Sequence, residues 1–213
     1  MIKIGAIFTT NSYGLLEVTS YSSSIKVGVR FIDTGYETVT SLQCIRIGSV
    51  KDKLKPSVWG VGFMGVGNHS STGVGGMTKA YRCWVRMLER CYSCKYHKNK
   101  PTYIGCTVDV SWHNFQVFAK WYAENYIDGY HLDKDIKLKG NRVYGPETCM
   151  FVSLTDNNIE AQAKSYTLIS PDGEIVKVYN LAEFCRNNNL SPKGISLVNT
   201  GLRKHYKKWR FEL

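Results

Sequence analysis

The chain of 213 residues carries a formal net charge of +11 at pH 7, and 13% of its residues are aromatic. Basic and aromatic residues together favour a polyanionic partner, most simply nucleic acid, although the charge also fits a protein that is merely kept soluble. No apolar run approaches the ~18 residues of a membrane span, so we expect no membrane partner. Seven irregularly spaced cysteines favour a reducing cytoplasm over a disulfide framework.

Residues 1–59 have the pattern of an all-β domain. Apolar and polar residues alternate with a period of two through IKVGVRF at 25–31, and turn-forming runs lie at 11–14 and 22–24. Such alternation between turns predicts short strands. We therefore expect a small curled sheet or SH3-like barrel.

Residues 60–77 are rich in glycine. The run from Gly60 to Gly65 fits the G-x-G-x-x-G dinucleotide fingerprint, but glycines continue to Gly76 with no helix-forming stretch among them. Because that fingerprint needs a strand before it and a helix after it, we reject a dinucleotide site and predict a linker.

Residues 78–165 are predicted as a second domain that begins with two amphipathic helices, one over 78–95 and one behind Ser111. Helical spacing predicts that their buried side chains are Tyr81, Trp84, Leu88, Cys91, Trp112, Phe115, Ala119 and Tyr122. The run Cys91-x-x-Cys94 has His97 and Cys106 nearby, but a structural zinc site needs a second close pair of ligands. Structural zinc is therefore not expected.

The stretch 130–157 has the order strand, strand, helix. Residues 130–136 and 149–153 have strand character around a Gly140–Asn141 turn, and the Thr-Asp-Asn run at 155–157 supplies helix-capping chemistry. This order brings Asp133, at the end of the first strand, towards Asn157 in the first helical turn. A carboxylate and an amide oxygen are hard ligands suited to Mg²⁺, so Asp133 and Asn157 are the candidate metal ligands.

Residues 166–213 are predicted as a third domain, with a β-hairpin around Pro171-Asp172-Gly173 followed by two short helices. Asn180 and Ser191 are capping residues for these helices, and Gly201 suits the end of the second. Two short helices about a tight turn are typical of a helix-turn-helix, although a helical hairpin that only caps a domain has the same pattern. In the DNA-binding case the second helix would face bases through Ser191, Lys193, Gly194 and Ser196, and the basic tail would hold phosphates through Arg203, Lys204, Lys207, Lys208 and Arg210.

The run L-D-K-D…G-N…Y-x-P-E-T-C-x-F-V…N over 132–157 resembles the ββα-metal (HNH) endonucleases, in particular the short phage-encoded and homing-type members. Three upstream motifs occur in that group in the same order: W-x-x-M-x-x-R-C from Trp84, Y-x-G-C-x-V from Tyr103 and W-x-x-F-x-x-F-x-x-W from Trp112. The order N-L-A-E-F-C…N-N-L-S…G from Asn180 resembles the DNA-binding modules of intron-encoded and phage homing endonucleases.

The resemblance implies an α+β protein with three parts: an N-terminal small β barrel-like domain with an accessory DNA-binding role, a central ββα-metal nuclease core, and a C-terminal β-hairpin plus helix-turn-helix. It implies a DNA endonuclease of phage homing type that hydrolyses phosphodiester bonds of double-stranded DNA with Mg²⁺ or another divalent cation. A phage-encoded protein of this kind would act in the cytoplasm of its bacterial host.

The resemblance also implies roles for single residues, with one departure. The family's usual water-activating histidine is replaced by Lys134, and a lysine is a poor general base unless it is strongly desolvated. Lys134 would instead stabilise a phosphate oxygen, and Asn141 would orient the hairpin. His113 and Tyr103 are polar groups near the start of their own elements; either would act as the base or orient the water, although a His113 that simply faces solvent fits the pattern better.

Two other functions remain open on the sequence. A nuclease-derived protein that has lost hydrolysis together with the histidine would be a catalytically inactive DNA-binding regulator. A basic surface would also serve a protein that engages an acidic protein partner. Metal-dependent nicking would distinguish the endonuclease from both alternatives. Salt-sensitive duplex binding would distinguish the DNA-binding regulator from the protein that engages an acidic partner.

Overall fold

The protein is a mixture of helices and small sheets, described in a computed structural model over residues 2–138, 140–153 and 164–212. The chain divides into two compact units. Unit 1 comprises Met1–Asp128 and Leu132–Phe151, and unit 2 comprises Gly129–His131 and Val152–Leu213. None of the helices in the described ranges is long and apolar enough to cross a membrane.

The N-terminal part of unit 1 is a four-stranded antiparallel meander. Its strands, in the spatial order β1-β2-β3-β4, are β1 (Ile7–Thr9), β2 (Leu15–Ser23), β3 (Lys26–Phe31) and β4 (Glu37–Thr40). The alternation at 25–31 buries Val27, Val29 and Phe31, as the period of two requires. The prediction of a barrel-like domain is wrong, because the described strands leave the sheet open with β1 and β4 at its edges. A short helix, α1 (Leu42–Arg46), and Val50 cover the apolar face that a closed barrel would have buried.

The glycine-rich segment 60–77, predicted as a linker, packs against the helices of unit 1. Phe63 donates its backbone N–H to the His113 carbonyl at 2.9 Å, and Gly62 lies so close to Leu88 that a Cβ there would be 2.5 Å from Leu88 Cδ1. The segment ends in a small hairpin of β5 (Thr72–Gly73) and β6 (Gly76–Met77). Glycine at residue 62 therefore permits a close approach of backbone to helix.

The main core of unit 1 forms around helices α2 (Lys79–Tyr92) and α4 (Phe115–Asn125), with α3 (Cys94–Asn99) and 3₁₀ turns at Pro101–Tyr103 and Val110–His113 between them. The predicted burial of both apolar faces is confirmed for Trp84, Leu88, Cys91, Trp112, Phe115, Ala119 and Tyr122, and Tyr81 is half-buried. The second helix starts at Phe115 with Asn114 as its N-cap, because Asp109 caps a separate 3₁₀ turn through Ser111. Ahead of that 3₁₀ turn the chain forms one short strand, β7 (Thr107–Val108).

Three short strands build the 130–153 region. These are β8 (His131–Asp133), β9 (Val143–Tyr144) and β10 (Met150–Val152); β10 pairs with β8, and β9 pairs in parallel with β7. Both strands predicted around the Gly140–Asn141 turn are present but shorter than expected. The helix predicted from Thr155 falls at 154–163, outside the described residues.

Unit 2 contains a three-stranded sheet and two short helices. In chain order the elements are β11 (Tyr166–Ile169), β12 (Ile175–Val178), α5 (Leu181–Asn187), α6 (Pro192–Asn199) and β13 (Arg210–Phe211), and the strand order is β12-β11-β13. The predicted hairpin and both caps are confirmed: Asn180 accepts from Glu183 N–H, and Ser191 accepts from Gly194 N–H. Cys185, Leu190 and Ile195 form the core of the unit.

Candidate active site

Asp133 ends β8 because its carboxylate binds the backbone that follows it. Oδ1 accepts hydrogen bonds from the N–H groups of Asp135 at 2.7 Å and Ile136 at 2.8 Å. Such an Asx turn competes with strand pairing and turns the chain out of the sheet. Within the described part of the chain, Oδ2 receives no hydrogen bond. One oxygen of the half-buried Asp133 carboxylate is thus fixed by the scaffold, and the other is left as a candidate ligand atom.

Lys134 turns its ammonium into the protein. Its side chain is only 9% exposed. Nζ donates to both carboxylate oxygens of Asp135 at 2.6 Å and to the Asn141 carbonyl at 3.0 Å, and it lies 5.8 Å from the centre of the Tyr144 ring. An ammonium has three protons to donate, so these three acceptors satisfy it. The phosphate contact expected for Lys134 has no donor left in this arrangement.

The side chain of Asn141 braces the loop between β8 and β9. Nδ2 donates to the carbonyls of Lys134 at 3.0 Å and Val143 at 2.7 Å, and Oδ1 accepts from Val143 N–H at 3.1 Å. Both amide protons and the amide oxygen are therefore bonded to backbone. Together with the Lys134 ammonium on the Asn141 carbonyl, these bonds tie residue 134 to residue 141 in both directions.

Two further residues hold this loop, and sequence reasoning gave neither of them a role. Arg142 donates from Nη1 to the Ile104 carbonyl at 2.6 Å, and Thr148 donates from Oγ1 to the Val143 carbonyl at 2.7 Å. Thr148 lies inside the P-E-T-C motif, so the sequence did contain an indication of its role. The contact of Arg142 spans 38 residues, and no local pattern indicates it.

His113 and Tyr103 have partners away from the Asp133 loop. His113 Nε2 lies 3.4 Å from the Tyr92 hydroxyl, which itself accepts from Val108 N–H at 3.1 Å. The Tyr103 ring packs edge-on against Tyr96. Among the described residues, neither His113 nor Tyr103 has a hydrogen bond to Asp133. Asn157, the second candidate metal ligand, lies outside the described residues.

The cysteines near the loop are apolar core groups. Burial raises the pKa of the Cys91 thiol to about 12 and that of Cys149 to about 11, against an ordinary value of 9.0. Both thiols are therefore protonated at neutral pH in the metal-free protein. In the described ranges, no group of three His, Cys, Asp or Glu side chains is placed to hold a metal ion.

In unit 2 the residues predicted to contact bases divide into two sets. Lys193 and Ser196 are exposed on α6, and Ser191 is exposed while its hydroxyl caps the helix. Gly194 was expected at the base-facing end, but it is buried under Tyr206, and a Cβ there would lie 2.7 Å from the ring. The prediction for Gly194 is wrong because this face of α6 packs into the core of unit 2.

The basic side chains of the tail lie at the surface. Exposed residues include all five predicted phosphate contacts: Arg203, Lys204, Lys207, Lys208 and Arg210. Within the described part of the chain, Lys207 is the one of these five whose head group bonds to the protein, donating to the Asn189 carbonyl at 3.0 Å. The other four remain available to a polyanion.

Comparison with known proteins gives little to set beside this geometry. No family model matches the chain, and no curated protein matches it. Among solved structures, the chain is similar to a structure that describes DNA binding and cleavage by the HNH homing endonuclease I-HmuI. The identity is 21%, the match covers 46% of this chain and 67% of that chain, and the TM-score is 0.23. At that TM-score the likeness carries no argument about this chain's fold or activity.

Proposed function

We propose that the protein is a metal-dependent DNA endonuclease of the HNH type, related to the phage homing enzymes, and that it hydrolyses a phosphodiester bond of double-stranded DNA. The observation that carries the proposal is the Asp133 carboxylate, with Oδ1 fixed by two backbone N–H groups and Oδ2 left without a partner among the described residues. The order of the W-x-x-M-x-x-R-C, Y-x-G-C-x-V and L-D-K-D motifs supports the same family.

The Asp133 carboxylate fits a Mg²⁺ site of the open kind. Mg²⁺ keeps several waters and is bound by one or two protein oxygens together with phosphate oxygens. Asp133 supplies one such oxygen, and Asn157 is the proposed second. When bound, the cation would supply Lewis-acid stabilisation of the charge that develops on the phosphate and on the leaving oxygen.

The remaining residues would act by positioning. Asn141 holds the loop, so that Asp133 keeps one orientation. Lys134 acts through its bonds to Asp135 and to the Asn141 carbonyl, which differs from the phosphate contact expected from the sequence. His113 and Tyr103 stay as proposed groups for orienting or deprotonating the water, and His113 has the more suitable chemistry, since an imidazole is the commonest general base in proteins.

A second function has a specific observation in its favour. Lys134 stands where the family has its histidine, and its Nζ donates to both carboxylate oxygens of Asp135 and to the Asn141 carbonyl, so the side chain is placed as a hydrogen-bond donor and not as a base. An inactive, nuclease-derived DNA-binding regulator would retain the loop and the basic tail without hydrolysis.

Plasmid nicking decides between the two functions. Supercoiled plasmid is incubated with the protein in Mg²⁺, with excess EDTA, and with an Asp133→Asn variant purified in the same way. Nicking by the parent in Mg²⁺ alone supports the endonuclease. Salt-sensitive duplex binding without nicking under any condition supports the regulator.

A further inference from the structure

Unit 2 contains a basic cleft of about 440 Å³ between the β11–β12 turn and the tail. The turn contributes Ser170 and Gly173 to its lining, and the tail contributes Lys204, His205, Lys208 and Arg210. Among the residues that the structure describes, no carboxylate lines the cleft, and none of its three permanent cations, Lys204, Lys208 and Arg210, forms an ion pair. Like charges that converge on a concave surface repel one another, and an anion in the cleft relieves that repulsion.

The backbone that presents Lys208 is one that lysine disfavours. Tyr206 and Trp209 exchange two N–H···O bonds of 3.0 Å, which closes a two-residue turn around Lys207 and Lys208. Both lysines have positive φ angles, 50° and 68°. Turns with two such residues favour Asn and Gly, and a left-handed backbone is unfavourable for a side chain such as lysine. Turn chemistry therefore does not explain a Lys-Lys pair here, and unfavourable backbone is often found at binding sites.

The two lysines of the turn have different surroundings. Lys207 donates to the Asn189 carbonyl, and it does not line the cleft. Lys208 lines the cleft. The Lys207 ammonium thus bonds to the protein, whereas Lys208 lines the cleft together with the other cations.

The cleft is held by elements that are anchored in the core of unit 2. Trp209 packs edge-on against Phe184 with ring centres 5.0 Å apart, and Tyr206 covers Gly194. Arg210 belongs to β13 and pairs with Ile169 of β11. These anchors fix the backbone of the tail, so binding an anion requires little rearrangement.

The opposite wall adds a hydroxyl group. Ser170 Oγ accepts the N–H groups of Asp172 at 3.2 Å and Glu174 at 3.1 Å. In its bonds to described residues this oxygen acts only as an acceptor, which leaves its proton for an anion in the cleft. Guanidinium, ammonium and hydroxyl donors around one space are the groups that bind phosphate in proteins.

We propose that this cleft seats one phosphate of a nucleic acid backbone, held by Lys204, Lys208 and Arg210 with Ser170 on the opposite wall. The proposal rests on the proposed DNA binding and sharpens it, since it replaces a diffuse basic surface with one defined anchor point. Lys208 is the main contact from the turn, and Lys207 is not.

The test compares two variants of the full-length chain that lose the same charge. Lys208→Asn removes the ammonium but keeps a residue that tolerates the left-handed backbone. Lys177→Asn removes an exposed lysine of β12 that does not line the cleft. Binding to a labelled DNA duplex is measured in EDTA at several salt concentrations. For Lys208→Asn we expect affinity to fall about tenfold and the salt slope to decrease by about one, as for the loss of one phosphate contact. The control variant should stay within about twofold of the parent.

A second measurement tests phosphate binding in the cleft directly. Inorganic phosphate is titrated while the ring signals of His205 are followed by NMR; we expect saturable shifts in the parent and weaker phosphate binding in Lys208→Asn. Equal effects of both variants on duplex binding, or a His205 signal that ignores phosphate, would overturn the proposal. If Lys208→Asn melts at a lower temperature than the parent, Arg210→Gln takes its place. Because binding is measured in EDTA, a failure of the cleft and a failure of the nuclease are separate results.

Discussion

The Nζ of Lys134 lies 2.6 Å from both carboxylate oxygens of Asp135, so the cation next to the candidate metal ligand is neutralised by its own neighbour in sequence. The Lys134 side chain is 9% exposed and that of Asp135 is 46% exposed. The pair therefore has a buried donor and a half-exposed acceptor. The ion pair fixes the loop that follows Asp133, so its loss should first lower the free energy of unfolding.

Lys134→Met should lower the free energy of unfolding by about 1–2 kcal/mol, because the Asn141 carbonyl and Asp135 lose a charged donor while Asp135 stays partly solvated. Adding Asp135→Asn should recover part of that loss, since no unpaired carboxylate then remains. Urea denaturation of the parent, both single variants and the double variant measures the coupling. An activity loss of about 10²-fold at unchanged stability would instead indicate a direct contact with the phosphate.

Two substitutions, Asp133→Asn and Asp133→Ala, should distinguish the role of Asp133 in the turn from its role as a metal ligand. Asn keeps an oxygen that can accept from Asp135 and Ile136 N–H, whereas Ala loses both bonds. We expect both variants to lose Mg²⁺-dependent nicking and to bind duplex DNA within a few-fold of the parent, because many basic groups share the binding. Only Asp133→Ala should also lower stability, by about 1–2 kcal/mol. Full activity of Asp133→Asn, or of the parent in EDTA, would contradict the metal role.

Asn141→Ala should loosen the loop while leaving the helical core intact. It removes three hydrogen bonds to backbone groups, which together stabilise by about 2–3 kcal/mol. Hydrogen exchange should accelerate over 134–143 and remain slow in α2 and α4. Asn125→Ala is the control, since it removes one exposed bond to the Trp121 carbonyl. Equal exchange in the two variants would show that the brace is dispensable.

Buried thiols should make the protein less stable at alkaline pH. The folded-state pKa values of Cys91 and Cys149, about 12 and about 11, lie above the ordinary 9.0. A raised pKa contributes stability that is complete below the unfolded value and is lost as pH rises towards the folded value. Stability should thus fall between about pH 9 and pH 12, with the Cys149 contribution lost by about pH 11. In native protein at neutral pH, mass spectrometry should find iodoacetamide on the exposed Cys94 but not on Cys91 or Cys149.

How far the sequence predicts this structure depends on the range of each interaction. The caps at Asn180 and Ser191 were predictable, because a cap is made by residues two or three positions apart. The burial of Lys134 was not, since it depends on a carbonyl seven residues away and on the fold of the loop. Gly194 was misplaced for a similar reason: which face of α6 is buried depends on Tyr206 of the tail. The barrel was predicted from strands alone, and α1 covers the sheet instead.

Truncation before Tyr166 should separate DNA cleavage from sequence recognition. Unit 1 has its own core around Trp84 and Phe115, so the shortened protein should stay folded; far-UV circular dichroism and size-exclusion chromatography check this. The deletion removes eight basic residues, namely Lys177, Arg186, Lys193, Arg203, Lys204, Lys207, Lys208 and Arg210. If about half of them contact phosphates, the salt slope should flatten by roughly four units.

The cleavage pattern then shows where specificity lies. A core that contacts mainly the phosphate backbone is nearly indifferent to sequence, so the truncated protein should nick many sites on a long duplex where the full chain selects few. Both proteins are compared by cleavage mapping at matched salt. Lys177→Asn in the full chain, which removes one of the eight basic residues without deleting the unit, should keep the parental pattern. An unchanged set of discrete sites after truncation would assign sequence recognition to unit 1, with its N-terminal sheet as the next segment to delete.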